Sequence, residues 1–304
     1  MQTMRKPSAL RPGDLIGVVA PGAAVEASAV AAGVAVLERA GYRVRVGAAV
    51  SRHVGYLAGS DADRLADLTA MFTDPAVRAI IAARGGYGTG RLLPHFDVGL
   101  ARAHAKIVVG YSDLTFLLTR LVQGAGMVAF HGPMVADMER NPSGTEALLS
   151  LLRGDRAAWN LAAREIVQPG TGEGVIVGGC LSILVAALGT PYAIETAGKL
   201  LFLEDVNEKP YRVDRMLTQL RQAGKLDGVA GVVFGDMTGC GHAADEVTVR
   251  DVIREAFASA RYPVVFGLPT GHGGGVVTLP LGVRARLAGE RLSLLESPLG
   301  EGAR

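Results

Sequence analysis

The first half of the chain alternates short apolar runs, rich in β-branched residues, with longer amphipathic stretches. This alternation is typical of parallel strands joined by helices that cover the sheet. We therefore expect an α/β domain with a mostly parallel sheet, whose site lies in the loops at the carboxyl ends of the strands. The predicted strands span residues 15–20, 42–46, 79–82, 106–109 and 127–130, and the predicted helices span 25–40, 61–72, 114–123 and 145–152.

The pattern lapses between 154 and 174, where a polar stretch with glycine and proline suggests a connection. A length of 304 residues also favours two domains, since single cores stop growing near ~250 to 300 residues. We expect an N-terminal domain over 1–153, a linker over 154–174 and a smaller mixed α/β domain over 175–304. Its predicted elements are helices over 180–188 and 211–223 and strands over 200–203, 231–234, 263–266, 276–279, 283–287 and 292–295.

Composition excludes several classes of function. Acidic and basic residues are interspersed and the net charge is +2, so no nucleic-acid partner is expected. The two cysteines cannot build a disulfide framework, which fits a reducing cytoplasm. Arg5 and Lys6 precede no apolar signal-peptide core, and no run approaches the ~18 apolar residues of a membrane span. We expect a cytoplasmic protein with a small-molecule or peptide partner.

A serine stands at a predicted strand-to-helix turn, in Gly110-Tyr111-Ser112-Asp113-Leu114-Thr115. Such a turn can present a hydroxyl at the edge of a sheet, beside the first N–H groups of a helix. Most Ser-Asp pairs at such turns are only helix caps, so the motif alone does not establish a nucleophile.

A nucleophilic serine needs a histidine base that a carboxylate orients. His272 is the favoured base because it lies in a glycine-rich turn after a predicted strand, and Glu204 and Asp205 are acids at the end of another strand. Surface or packing roles are expected for His53, His95 and His104, while His131 either borders the site or makes a structural hydrogen bond. Cys240 with His242 is interpreted as a buried thiol beside a loop histidine, because no further ligands stand at zinc spacing.

The loop Arg84-Gly85-Gly86-Tyr87-Gly88-Thr89-Gly90-Arg91 precedes the serine. It lacks the Gly-Lys-Ser/Thr ending of a phosphate loop, so we prefer a loop that donates a backbone N–H. The α/β-hydrolase fold is disfavoured, since its oxyanion loop precedes the nucleophile and the only His-Gly-Gly-Gly string here follows it.

Five ordered motifs together resemble the murein LD-carboxypeptidases, a serine peptidase family that also contains the microcin immunity peptidases. The resemblance runs from about residue 10 to residue 295. The motifs are Arg84-Gly85-Gly86-Tyr87-Gly88, Gly110-Tyr111-Ser112-Asp113, Phe130-His131-Gly132-Pro133, Leu203-Glu204-Asp205 with Tyr211-Arg212-Val213-Asp214-Arg215, and Gly271-His272-Gly273 before Leu279-Pro280-Leu281-Gly282.

The resemblance implies a flavodoxin-like N-terminal domain that carries Ser112 and a C-terminal domain that carries Glu204 and His272 as the rest of a catalytic triad. It implies an oxyanion hole made by the backbone N–H groups of Gly86 and Asp113. It also implies a homodimer without metal or cofactor, which releases a terminal D-amino acid from muropeptides during cell-wall recycling. Arg84, Arg91, Arg212 and Arg215 are candidates for the substrate carboxylate, although structural ion pairs are the stronger expectation.

The chain departs from the family at Cys180, where such proteins often carry asparagine after two glycines, and in the plain glycines after His272. These departures leave the substrate open between a muropeptide and a peptide- or aminoacyl-nucleotide of the microcin type. An alternative of another class is a non-catalytic, two-lobed protein that binds a small ligand. An amidotransferase ranks last, because that chemistry usually needs a cysteine at the turn.

Overall fold

The structure is a computed structural model, and it describes residues 4–155, 160–241, 246–273 and 277–300. The chain forms two compact units. The first comprises Met1–Ala157, Val277–Pro280 and Pro298–Arg304, and the second, smaller one comprises Ala158–Val276 and Leu281–Ser297. The sequence predicts one boundary between two domains, near residues 154–174, whereas the C-terminal segment of the chain is divided between the two units.

The first unit is built from alternating strands and helices, as the sequence pattern predicts. Its strands are β1 (Leu15–Val19), β2 (Arg43–Val46), β3 (Val77–Ala82), β4 (Ile107–Gly110) and β5 (Ala129–His131), and its helices are α1 (Ala27–Arg39), α2 (Asp61–Thr73), α3 (Val98–Ala103), α4 (Thr115–Arg120) and α5 (Pro142–Arg153). These strands pair in parallel, in the order β2, β1, β3, β4, β5. That order is the flavodoxin-like one, which confirms the predicted fold of this part.

Burial explains why the central strands β1 and β4 of the first unit are apolar throughout. All five residues of β1 are buried, and so are all four of β4. A parallel sheet covered on both faces requires such continuous apolar runs. In the flavodoxin-like order the sheet reverses direction of winding between β1 and β3, so the loops after these strands and after β4 border the crevice where ligands bind in such folds.

The second unit contains a mixed sheet. Its elements are strands β6 (Asn160–Ala162), β7 (Glu165–Gln168), β8 (Thr171–Cys180), β9 (Leu200–Val206), β10 (Gly231–Thr238), β11 (Val264–Phe266), β13 (Arg284–Ala288) and β14 (Arg291–Leu294) and helices α6 (Leu181–Ala186), α7 (Pro210–Gln222) and α8 (Val249–Ala256). The order is β6, β14, β13, β8, β9, β10, β11, β7. Strands β8 to β11 run in parallel, while β13, β14, β6 and β7 pair antiparallel with their neighbours. Strand β12 (Leu279–Leu281) belongs to the sheet of the first unit, next to β5.

The segment expected to be a linker differs from the prediction. From residue 160 onward it forms β6, β7 and the start of β8, which pair with β14, β11 and β13 of the second unit. The polar residues that suggested a connection are instead carried by edge strands, where charged and polar side chains prevent pairing with other chains. Residues 156–159 lie outside the described part of the chain.

Several element boundaries also differ from the sequence-based expectation. Helices α3 and α8 were not predicted, and the helix predicted over 114–123 ends as an α-helix at Arg120 and continues as a π-helical turn, Leu121–Ala125. The strand predicted over 276–279 is observed at β12, whereas Val276 lies outside the described residues. Across the described ranges, the helices are all too short or too polar to cross a lipid bilayer.

Gly33 in α1 provides a test of the packing of the first unit. A Cβ at this position would collide with the backbone oxygen of Val135. We expect Gly33→Ala to lower the urea midpoint, because overpacking costs about 1 to 3 kcal/mol and Ala gains at most about 1 kcal/mol in helix propensity. The control is Gly99→Ala on the exposed first turn of α3, which should be close to neutral. Equal or higher stability of Gly33→Ala would contradict the packing described.

Candidate active site

Ser112 occupies a sharp turn between β4 and α4. It has a positive φ of 61°, one of only two such values outside glycine in the described residues. The left-handed region costs a residue such as serine about 1 to 3 kcal/mol, and such conformations concentrate at functional sites. A short 3-10 turn, Ser112–Leu114, then leads into α4. The hydroxyl is therefore carried on a strained strand-to-helix turn at the carboxyl edge of the sheet, and the residue is partly exposed.

The glycine loop after β3 packs directly against this turn. A Cβ on Gly85 would lie 2.9 Å from the Cβ of Ser112, 3.1 Å from its Oγ and 3.4 Å from the backbone nitrogen of Asp113. Only glycine permits so close an approach. The carbonyl of Gly85 accepts a hydrogen bond from the backbone N–H of Ala23 at 3.1 Å, which ties the glycine loop to the loop after β1.

The side chain of Asp113 is structural. It is buried, and its Oδ2 accepts a hydrogen bond of 2.8 Å from the backbone N–H of Thr89. Burial raises the pKa of this carboxyl, while hydrogen bonds from Thr89 and the charge of Arg64 oppose the shift. The carboxylate thus holds the glycine loop, and the backbone N–H of Asp113 is placed beside Ser112 and Gly85.

Arg64 fastens the two loops that flank the Ser112 turn. Its side chain is charged but has no solvent exposure, and it lies on α2 together with the buried residues Leu68 and Phe72. The guanidinium donates hydrogen bonds to the carbonyl of Pro21, in the loop after β1, and to the carbonyl of Gly88, in the loop after β3, the second at 3.0 Å. It also forms an ion pair with Asp61. A buried arginine is tolerated when its two terminal nitrogens find acceptors in this way. The glycine loop is consequently held from both ends.

The second unit carries the histidine and its acid. Nδ1 of His272 lies 2.7 Å from Oε2 of Glu204, at the end of β9. The Glu204 side chain is fully buried and the His272 side chain is 14% exposed. Burial raises the pKa of Glu204, and the side-chain and backbone hydrogen bonds of His272 act in the opposite direction. A carboxylate in this position accepts a hydrogen bond from Nδ1–H and leaves Nε2 as the basic nitrogen.

The backbone of the histidine loop fits closely around Glu204. Gly271 has a φ of 124°, and a Cβ there would lie 2.8 Å from Oε2 of Glu204. A side chain at this position would push the carboxylate away from the imidazole. The glycine is therefore required both by its backbone conformation and by the approach of the acid.

The two adjacent acids at the end of β9 have different roles. Successive side chains of a strand point to opposite faces. Glu204 forms a hydrogen bond with His272, whereas Asp205 accepts hydrogen bonds from the backbone N–H of Ser182 at 2.7 Å and from that of Val206 at 2.8 Å. Asp205 thereby caps the first turn of α6, which is the structural role that strand-end acids often have. Cys180 is buried beside it, with Sγ 3.5 Å from Asp205 Oδ1.

The other candidates take structural or surface positions. His53, His95 and His104 are exposed, as expected, and His131 is fully buried with its ring 5.8 Å from that of Tyr111. Cys240 is buried, whereas His242 lies outside the described residues. Within the described ranges, no three His, Cys, Asp or Glu side chains are grouped so that they could hold a metal ion.

The four candidate arginines all have contacts with protein groups. Arg84 donates to the carbonyl of Ala24 at 3.1 Å, and Arg91 pairs with Asp61 at 2.9 Å. Arg212 lies 3.5 Å from Glu208, and the guanidinium of Arg215 lies 5.7 Å from the ring centre of Tyr211. Ion pairing was expected for all four, and it is observed for Arg91 and Arg212.

Comparison with known proteins decides the class of this site. The LD-carboxypeptidase N-terminal domain matches residues 16–132, and the LD-carboxypeptidase C-terminal domain matches residues 173–287. The chain belongs to the LD-carboxypeptidase family. It is accordingly a hydrolase, a carboxypeptidase of the serine type, and not a non-catalytic binding protein.

The following three proteins match this LD-carboxypeptidase over almost their whole length. It is 39% identical to the probable murein peptide carboxypeptidase of Bacillus subtilis (strain 168), over 98% of this chain and 96% of the relative. The crystal structure of muramoyltetrapeptide carboxypeptidase from Oxalobacter formigenes is 30% identical with a TM-score of 0.84, covering 93% of this chain and 99% of that one. The microcin C7 self-immunity protein MccF shares the fold, with a TM-score of 0.88 at 24% identity over 97% of this chain and 99% of that one.

The structure thus brings together two groups of predicted residues. Ser112 and Asp113 lie beside the Gly85–Gly86 loop in the first unit, and Glu204 and His272 form a hydrogen-bonded pair in the second. Arg64 is not among the residues that the sequence motifs predict at the site. The available signal was its position on α2, where a charged residue shares the helix face of buried apolar residues.

Gly85→Ala tests whether the glycine loop positions the Ser112 hydroxyl. The added Cβ must displace Ser112 or the loop, and misplacing a reacting group by ~1 Å costs about 100-fold in rate. We expect labelling of Ser112 by a fluorophosphonate, followed by intact mass, to slow about 10- to 100-fold. Gly99→Ala should label at the parent rate. Unchanged labelling of Gly85→Ala would show that the loop does not constrain the serine.

Proposed function

We propose that this LD-carboxypeptidase hydrolyses an L,D-peptide bond and releases a terminal D-amino acid from muropeptides, with Ser112, Glu204 and His272 as a catalytic triad. The observation that carries the proposal is the 2.7 Å hydrogen bond between His272 Nδ1 and the fully buried Glu204. A buried carboxylate fixes the tautomer in which Nε2 can accept a proton from a serine hydroxyl. The similarity to murein peptide and muramoyltetrapeptide carboxypeptidases supports the substrate class.

In the proposed mechanism, Ser112 Oγ attacks the carbonyl of the L-residue while its proton passes to His272 Nε2. The tetrahedral intermediate collapses as the C–N bond breaks, and the imidazolium returns that proton to the amine of the leaving D-amino acid. Water then attacks the acyl-enzyme, with His272 again as the base. Glu204 keeps the imidazole oriented and stabilises its positive charge.

The backbone N–H groups of Asp113 and Gly86 are the proposed oxyanion hole. Support comes from the first unit, where the backbone nitrogen of Asp113 lies beside Ser112. Gly86 has a φ of 90° and packs closely against Ala23. Preorganised backbone donors of this kind contribute about 100- to 1,000-fold to the rate of acyl transfer. The fixed glycine loop supplies the rigidity that such donors require.

The oligomeric state and the compartment of the protein belong to the same proposal. The sequence resemblance supports a homodimer, which light scattering coupled to gel filtration measures directly. The two cysteines of the chain, Cys180 and Cys240, are both buried, which supports a reducing compartment such as the cytoplasm.

Ser112→Ala and His272→Ala test the proposal. We expect each variant to release D-alanine from an L,D-tetrapeptide about 10⁶-fold more slowly than the parent, since triad members act as a unit. The same peptide with a terminal L-alanine should be a poor substrate, and an aminoacyl-nucleotide serves as the alternative substrate. Release by Ser112→Ala near the parent rate would eliminate Ser112 as nucleophile. Preferred hydrolysis of the nucleotide would replace muropeptides with the microcin-type substrate.

A further inference from the structure

A bulge in β10 sets the position of an acid that the proposed triad does not use. Strand β10 pairs in parallel with β9 up to Phe234 opposite Leu203, and the pairing resumes with Met237 opposite Asp205, so β10 contains one extra residue. The bulge accommodates the backbone of the histidine loop, because the N–H of Asp236 donates to the carbonyl of Thr270 at 2.8 Å. Bulges next to active sites commonly redirect a side chain.

The redirected carboxylate lies against the residue that follows the catalytic base. A Cβ on Gly273 would collide with Oδ2 of Asp236, while a Cβ on Gly271 would lie 2.8 Å from Oε2 of Glu204. The histidine loop is thus bordered by one carboxylate from β9 and another from β10. Because β9 and β10 are neighbouring parallel strands, both acids reach the carboxyl edge of the same sheet.

The two carboxylates differ in their partners. Glu204 is fully buried and bonds the imidazole. Asp236 is partly exposed, and its carboxylate makes no hydrogen bond or ion pair with the residues that the structure describes. Burial raises the pKa of Asp236, and the exposed guanidinium of Arg164 opposes this shift through longer-range attraction only. A partly desolvated carboxylate without a partner is costly, unless a ligand brings a cation to it.

We propose that Asp236 is a specificity residue that binds an ammonium group on the substrate, close to the scissile bond. The inference rests on the proposed function, and it narrows the substrate class to peptides with an amine near the L-residue whose carbonyl is attacked. The same carboxylate repels the free carboxylate of the leaving D-amino acid. Asp236 therefore favours the orientation of the peptide in which its amine, and not its terminal carboxylate, lies on the Asp236 side of the His272 loop.

A pair of substrates isolates this interaction. The L,D-tetrapeptides differ only in the residue that provides the scissile carbonyl, which is lysine in one and norleucine in the other. A charge-assisted hydrogen bond corresponds to about 10- to 100-fold in kcat/KM. We expect the parent to prefer lysine by this factor. In L,D-dipeptides the α-amino group of the residue with the scissile carbonyl can be free or acetylated, and this comparison separates a side-chain amine from an α-amine as the source of the ammonium group.

Asp236→Asn provides the test, because it keeps the size of the side chain and removes its charge. We expect the ratio of kcat/KM values, lysine over norleucine or free over acetylated amine, to fall toward one. The matched control is Asp227→Asn, an exposed acid before β10 at the amino-terminal edge of the same sheet, which should keep the parent ratio. A parent enzyme without any preference for an amine, or an Asp236→Asn ratio equal to that of the parent, would overturn the inference. Equal slowing of all peptides, in particular, would mean that Asp236 only positions the His272 loop.

The binding of the same peptides keeps this inference separate from the proposed function. Calorimetry with Ser112→Ala measures affinity without turnover. If the parent cleaves none of the L,D-peptides, the proposed function fails. The role of Asp236 is still supported if Ser112→Ala binds the amine-bearing peptide more tightly and if adding Asp236→Asn abolishes this preference. Absence of binding, or binding indifferent to the amine, would overturn the inference.

Discussion

The hydrogen bond between the imidazole of His272 and the buried carboxylate of Glu204 is the interaction on which the proposed chemistry depends. A carboxylate without solvent is stabilised only by the donors around it, so the pair imposes both the orientation and the tautomer of the imidazole. The sheet of the second unit supports the pair in two ways. Strand β9 ends at the required position, and Gly271 leaves room for the acid beside the loop.

In the first unit, the proposed nucleophile Ser112 is held by a rigid backbone environment. Ser112 adopts an unfavourable backbone conformation, which persists only where the surroundings over-determine it. Those surroundings are the Gly85 contact, the Asp113 hydrogen bond to Thr89 and the buried Arg64 guanidinium. Helix α2, which carries Arg64, starts with a capping box formed by Ser60 and Asp63. The local order of an outer helix is in this way connected to the loop beside the serine.

Much of this arrangement follows from the sequence, for identifiable reasons. Parallel strands buried on both faces must be apolar, so the strands of the first unit and the turns after them were predictable from pattern alone. The pairing of Glu204 with His272 was predicted from strand-end position and from the family resemblance. The alternation of strand side chains separates Glu204 from Asp205, but it does not say which one faces the histidine.

The remaining features depend on tertiary contacts that leave little local trace. The edge strands β6 and β7 are polar and resemble a linker in sequence, because edge pairing is specified by partners far along the chain. The burial of Arg64 depends on two carbonyls from distant loops, and the bulge at Asp236 depends on the backbone of Thr270. Sequence periodicity reports burial and not hydrogen-bond geometry, so it cannot reveal such positions.

The state of the His272 ring provides the most direct test of the central claim. Nitrogen NMR of the protein with labelled histidine, near neutral pH, distinguishes the two neutral tautomers. We expect Nδ1 to carry a proton whose own NMR signal is strongly downfield, and Nε2 to be unprotonated. The downfield proton signal should be lost in Glu204→Gln. A proton on Nε2 in the parent, or a spectrum that Glu204→Gln leaves unchanged, would contradict it.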